Sequence, residues 1–250
     1  MKAEPEALLQ IRGAAVAFGG VKAVDDVSMD LRSGIVTGLV GPNGAGKTTL
    51  FNLITGHLPM AAGSIRARGR EIGGMKPYRV ARLGIARSFQ DLRLFGDMSV
   101  EENVLTVMEP GASPIALSGP SHAERRRRAR DVLERAHLAD KRSVRAKDLA
   151  YAERKFLSLA RIMAMDAWLW LLDEPASGLD PASYDLFLGL VREEVARGVT
   201  VCIIEHNLDI VVGICDRIAF LDRGRLLADD EPDAVLNDEK LAAIYFGERA

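Results

Sequence analysis

Gly41-Pro42-Asn43-Gly44-Ala45-Gly46-Lys47-Thr48-Thr49 is the stretch on which the reading of the fold turns. It has the form G-x-x-x-x-G-K-[ST], follows the apolar run Ile35-Val36-Thr37-Gly38-Leu39-Val40, and opens into the helix-like Lys47-Thr48-Thr49-Leu50-Phe51-Asn52-Leu53-Ile54. Strand, glycine-rich turn and helix in that order are the setting in which this motif binds phosphate. Glycines let successive backbone N–H groups converge on phosphate oxygens, and the helix N-terminus adds its positive dipole end. Lys47 is placed to set its ammonium between outer phosphates. Thr48 is placed to offer a hydroxyl to Mg2+, an ion that requires oxygen ligands in a tight octahedron.

Far downstream, Leu169-Trp170-Leu171-Leu172-Asp173-Glu174-Pro175 is an apolar strand that ends in two carboxylates. Alone, such an ending is more often a solvated strand end. In a chain that also carries a phosphate loop, Asp173 reads as a holder of the Mg2+ shell and Glu174 as the acceptor of a proton from the water that attacks the γ-phosphate. Thr200–Ile204 is a second continuous apolar run of the kind buried on both faces of a parallel sheet, and Pro181–Arg197 between them has helical spacing. Near the N-terminus, Val27, Met29 and Leu31 alternate with polar residues as in a half-buried strand.

The middle of the chain differs. From Gly96 to about Leu149 there is no strand pattern, only helical stretches near Val100–Met108 and Ala123–Leu138 separated by the loop Glu109–Pro114. The expectation is one α/β domain whose core takes residues 1–90 and 166–250, with a helical subdomain inserted at about 91–165. Strands at Arg217–Leu221 and Arg225–Ala228 and a helix near Glu239–Phe246 close the chain.

Composition bounds the function. In 250 residues, 33 Lys+Arg against 35 Asp+Glu leave a net charge of −2. That balance argues against holding nucleic acid by bulk electrostatics, which needs concentrated positive charge. The basic run Arg125–Arg130 is local and reads first as a solvated helix face, with attraction to anionic lipid as the sharper alternative. No apolar stretch approaches the ~20 residues of a spanning helix, and the opening Met1–Glu6 does not read as a secretory signal. Cys202 and Cys215 sit in apolar surroundings as core thiols, and His57, His122 and His137 lack metal-ligand spacing.

With what lies between and after them, the phosphate loop and the Asp173-Glu174 strand resemble the ATP-binding subunits of ABC transporters, from Leu9 to Glu248. The resemblance implies an α/β P-loop core of ABC type with an N-terminal antiparallel β subdomain and the inserted helices. It implies that Gln90, after Ile85-Ala86-Arg87-Ser88-Phe89, approaches the metal and the attacking water, and that Phe18 stacks on adenine. It also implies that His206 senses the γ-phosphate and that Ser177-Gly178-Leu179-Asp180 contacts a second ATPase subunit. ATP and Mg2+ are the implied ligands.

One family element departs. The Leu-Ser-Gly-Gly-Gln signature, which in the family touches ATP bound by the opposite subunit, is here Leu149-Ala150-Tyr151-Ala152-Glu153. The serine hydroxyl is gone, side chains replace both glycines, and Glu153 adds negative charge. An asymmetric pair of ATPase subunits is therefore expected, with a homodimer as the alternative. Within the family the chain is most similar to the branched-chain amino acid importer ATPases. The stretches that carry this are Ala81–Gln90, Met98–Asn103, Ile204–Asn207 and the ending Ile244–Glu248, beside the Ala-Tyr signature. The resemblance implies transmembrane permease subunits, a second ATPase subunit, a periplasmic solute-binding protein acting indirectly, and a peripheral place on the cytoplasmic face of the inner membrane. The alternatives are a urea or amide transporter, a lipopolysaccharide exporter, and a soluble ABC ATPase outside transport.

Overall fold

The computed structural model describes residues 6–108 and 121–246; the expected loop Glu109–Pro114 and the terminal Gly247-Glu248 lie outside them. The chain opens with two long antiparallel strands, β1 (Ala7–Phe18) and β2 (Val21–Arg32), and then turns into the fully buried β3 (Val36–Val40). The phosphate loop joins β3 to α1 (Lys47–Ile54). β4 (Ala62–Ala67) and the short β5 (Arg70–Glu71) return to the first sheet, and α2 (Pro77–Arg82) leads to β6 (Ile85–Arg87). The helical stretch holds α3 (Val100–Val107), α4 (His122–Arg135), two single 3-10 turns and α5 (Tyr151–Met163). Strands and helices then alternate: β7 (Leu169–Asp173), α6 (Pro181–Ala196), β8 (Thr200–Ile204), α7 (Leu208–Ile214), β9 (Arg217–Asp222) and β10 (Arg225–Asp230). Helices α8 (Pro232–Leu236) and α9 (Glu239–Phe246) finish the described chain.

Two sheets result. β2, β1, β4 and β5 form an antiparallel sheet in that order. The second runs β10-β9-β3-β8-β7-β6, parallel except for the antiparallel edge strand β10. Strand periodicity explains how the layers are divided. Leu169 and Leu171 of β7 face a cluster shared with β1, β2, β4 and α1, whereas Trp170 and Leu172 face the cluster of α3, α4, α5 and α6. Cys202 and Ile204 part from Val201 and Ile203 of β8 in the same way. The parallel sheet is thus covered on both faces, which is why its strands are continuous apolar runs instead of alternating ones.

The helical stretch shares the core of the sheet: Val104, Leu133 and Phe156 join Trp170 and Leu172 in one buried cluster. Ser99 caps α3 in a capping box with Glu102. Buried Asn103 donates to the carbonyls of Phe95 and Ser99 and accepts from the Phe95 N–H, which fixes the loop ahead of α3. Both cysteines are free and buried, as expected of core thiols. Trp170 is core, whereas Trp168 is half-buried, its indole N–H donated to the Leu83 carbonyl at 2.7 Å and its ring covered by Arg68.

The phosphate loop is seated by its glycines. At Gly41 φ is 144°, and a Cβ there would lie 1.9 Å from the Leu221 carbonyl oxygen of β9, whereas at Gly44 φ is 79° and the space is open. Gly44→Ala should therefore cost only the ~1–2 kcal/mol of a left-handed L-residue. Gly41→Ala adds overpacking against backbone and should cost about 3 kcal/mol or more. Chemical denaturation of the two variants checks the order; equal losses would contradict this seating.

Candidate active site

Because β8 lies between β3 and β7, the strand ends that carry the phosphate loop, the two carboxylates and His206 all open on one side of the sheet. Ala23, Asn43 to Thr49, Glu174 and His206 line a recess of about 190 Å³ there. Lys47 is buried and folds back over its own loop, donating to the carbonyls of Gly41 at 2.7 Å and Pro42 at 3.0 Å. Burial lowers its pKa, while the charges of Glu174 and Asp173 raise it.

Asp173 ends β7 in a closed setting. Its carboxylate accepts from Arg87 Nη2 at 3.3 Å and lies close to the Thr48 hydroxyl, and the side chains of Asp173 and Arg87 are each 5% exposed. Its backbone N–H goes to Ser88 Oγ at 2.8 Å. Burial raises the Asp173 carboxyl, and Arg87 opposes that rise. Arg87 also donates to Asn52 Oδ1 of α1 at 2.6 Å, and its guanidinium lies 4.9 Å from the Phe89 ring centre. Arg87 is a residue that sequence reasoning passed over as part of the strand leading to Gln90. The signal available was a cation inside an otherwise apolar strand.

Glu174 adopts φ 47°, left-handed for a non-glycine residue. Its carboxylate is shared: Gln90 Nε2 donates to Oε2 at 3.0 Å, and His206 Nε2 lies 2.8 Å from Oε1. The ends of β6, β7 and β8 therefore meet at one carboxyl group. Glu205, buried next to His206, was not singled out in the sequence; burial pushes its carboxyl up to about 7, against the N–H of Ala176 that it accepts. Phe18, at the end of β1, is 49% exposed and is not among the residues that line the recess.

At the start of α5, Glu153 folds back so that Oε2 accepts the Ala150 N–H at 2.8 Å, while Oε1 pairs with Lys141 at 3.2 Å. The first turn of that helix is thus capped by its own carboxylate. Tyr151 hydroxyl donates to the Ser177 carbonyl at 3.2 Å, joining α5 to the loop after Glu174.

Among the described residues no cluster of His, Cys, Asp and Glu forms a transition-metal site, and no helix is long and apolar enough to cross a membrane. The family described as "ABC transporter" matches residues 24–177. The high-affinity branched-chain amino acid transport ATP-binding protein LivG of Salmonella typhimurium is 36% identical over 96% of this chain and 98% of its own length. BraF of Pseudomonas aeruginosa, of the same description, is 34% identical with the same coverage. Among solved structures, an ATP-binding cassette of an ABC transporter in its ADP conformation superposes with a TM-score of 0.87 at 32% identity, covering 97% of this chain and 100% of that one. A strand-borne phosphate loop facing an Asp-Glu strand end, matched along the whole chain in sequence and fold, places this chain in the ABC transporter family, as one of its ATP-binding, ATP-hydrolysing subunits.

Proposed function

We propose that this subunit drives import of branched-chain or other amino acids. The observation that carries the chemistry is the Glu174 carboxylate, held between Gln90 and His206 beside the phosphate loop. The likeness to LivG and BraF over almost their full lengths supports the solute class.

ATP enters with its phosphates on the backbone N–H groups of Gly41 to Thr49, with Pro42 and Asn43 shaping the turn, and Lys47 exchanges its loop carbonyls for phosphate oxygens. Phe18 is the candidate to stack on the adenine. The oxygens of Thr48 and Asp173 suit a hard cation, and Gln90 is the further candidate to face it. Mg2+ bound there neutralises charge on the phosphates. Glu174 takes the proton of the attacking water as the water oxygen bonds to the γ-phosphorus and the bond to the leaving ADP breaks. Gln90 and His206 hold that carboxylate, and His206, which lines the recess, is the candidate to face the γ-phosphate. A core of 1–90 and 166–250 with the helical subdomain 91–165 supplies the two surfaces that the cycle moves.

The recess is open to solvent, and a second ATPase subunit closes it. We assign that subunit to a different chain, because Glu153 occupies the α5 N-terminus that would otherwise face the partner's phosphates. Transmembrane permease subunits receive the motion, a periplasmic solute-binding protein delivers the solute, and the ATPase sits at the cytoplasmic face of the inner membrane. Nucleic acid has no part. Phe95 and Met98, exposed on the Asn103-anchored loop after Gln90, form the permease contact.

Three outcomes test this. Glu174→Gln should keep ATP binding and lose about 10²-fold or more in turnover in the assembled complex; wild-type turnover would remove Glu174 from its role. The purified subunit alone should hydrolyse ATP far more slowly than the complex, and a homodimer that turns over at the complex's rate would contradict the asymmetric pairing. Phe95→Glu should lower coupled transport while leaving ATP affinity intact; parallel loss of both would make Phe95 a folding residue.

A further inference from the structure

The turn that carries Glu174 is held from behind by two buried side chains of opposite charge. Lys155, in the second turn of α5, is 4% exposed and donates from Nζ to the Glu174 carbonyl at 3.0 Å. Glu205, just after β8, is 3% exposed, and its Oε1 accepts the Ala176 N–H at 3.2 Å. Only Pro175 separates these two backbone groups, and it has no N–H to add. One charge therefore grips the carbonyl at the start of the turn and the other grips the N–H at its end. Burial raises the Glu205 carboxyl, and Lys155 across the turn opposes that rise.

Simple packing does not require this arrangement. An apolar side chain of Lys155's length would fill the same space without the cost of desolvating an ammonium. Glu174, in turn, has φ 47°, a backbone state that an L-residue keeps only where its surroundings impose it. Both anchors act on the backbone, so the carboxylate is left free to meet Gln90 and His206.

We propose that Lys155 and Glu205 are positioning residues for Glu174, clamping the 174–176 turn so that its carboxylate stays aimed between Gln90 and His206 when nucleotide enters. This rests on Glu174 being the proton acceptor proposed above. The clamp also links the reaction to α5. The same helix holds Ser177 through Tyr151, so a partner that pushes on the start of α5 moves the base with it.

The test compares turnover and ATP affinity of the assembled complex carrying wild-type, Glu174→Gln, Lys155→Met, Lys155→Arg or Glu205→Met subunits. Lys155→Met should lower kcat by about 10²-fold, the scale of an ångström's misplacement, with ATP affinity unchanged. Lys155→Arg, which keeps a donor cation, should recover most of that loss. A Lys155→Met complex with wild-type kcat overturns the proposal, as does parallel loss of kcat and affinity, or an arginine variant no better than methionine. Should Lys155→Met fail to assemble, Glu205→Met, which removes the acceptor for the Ala176 N–H, decides: it should lower kcat about tenfold at unchanged affinity, and wild-type kcat overturns the clamp. Normal turnover in Glu174→Gln would fault the assignment of the base itself, whereas a dead Glu174→Gln beside an active Lys155→Met faults the clamp alone.

Discussion

The ion pair between Arg87 and Asp173 is the constraint on which the site depends. Both side chains are almost wholly buried, and removing charges from water costs several kcal/mol per ion unless partners repay it. Repayment here comes from three elements at once. Arg87 at the end of β6 pairs with Asp173 at the end of β7 and donates to Asn52 on α1, with Phe89 and Phe51 against its faces. The helix that opens at the phosphate loop is thereby tied to the strand that carries the carboxylates. Removing either partner would leave the other charge buried and unpaired, which costs several kcal/mol.

From that junction the rest of the site follows by strand order. β8 between β3 and β7 brings His206 next to Glu174, and β6 on the other side of β7 brings Gln90. Three adjoining strand ends thus deliver three polar side chains to one point with no long loop among them. The helices on the opposite face contribute through α5, which reaches the 174–178 turn with Lys155 and Tyr151.

Much of this was legible in the sequence because the decisive residues are local. Gly41 to Thr49 form the turn and the start of α1 as their glycines require, and Leu169-Trp170-Leu171-Leu172 could hardly be anything but a buried strand before Asp173. The antiparallel sheet was only half legible. The alternation at Val27–Leu31 marked part of β2, but β1 is broken by register shifts and β4 begins with Ala62-Gly63-Ser64, so neither keeps a clean period of two. β6 is too short to carry a pattern, and the resemblance rather than periodicity located it. Lys155 and Glu205 left no mark, since on a helix face or beside a histidine such residues look solvated; only the folded chain shows them buried around one turn. Arg87 escaped for the converse reason, as its partners Asn52 and Asp173 are far away in sequence.

The departure at Ala150-Tyr151-Ala152-Glu153 gains a physical form from the structure. The carboxylate that replaces an amide does not point outward; it caps its own helix and pairs with Lys141. The start of α5 is therefore occupied by the chain's own carboxylate. In this mechanism the phosphate loop and the β7 strand end act on one nucleotide and its metal. A double-mutant cycle on ATP affinity with and without Mg2+ tests it most directly, using Thr48→Val, Asp173→Asn and both together. Each single variant should lose the Mg2+-dependent gain, and the double variant should lose no more, because both oxygens serve the same ion. Additive losses, or a full Mg2+ effect in Thr48→Val, would show that the two oxygens do not serve one ion.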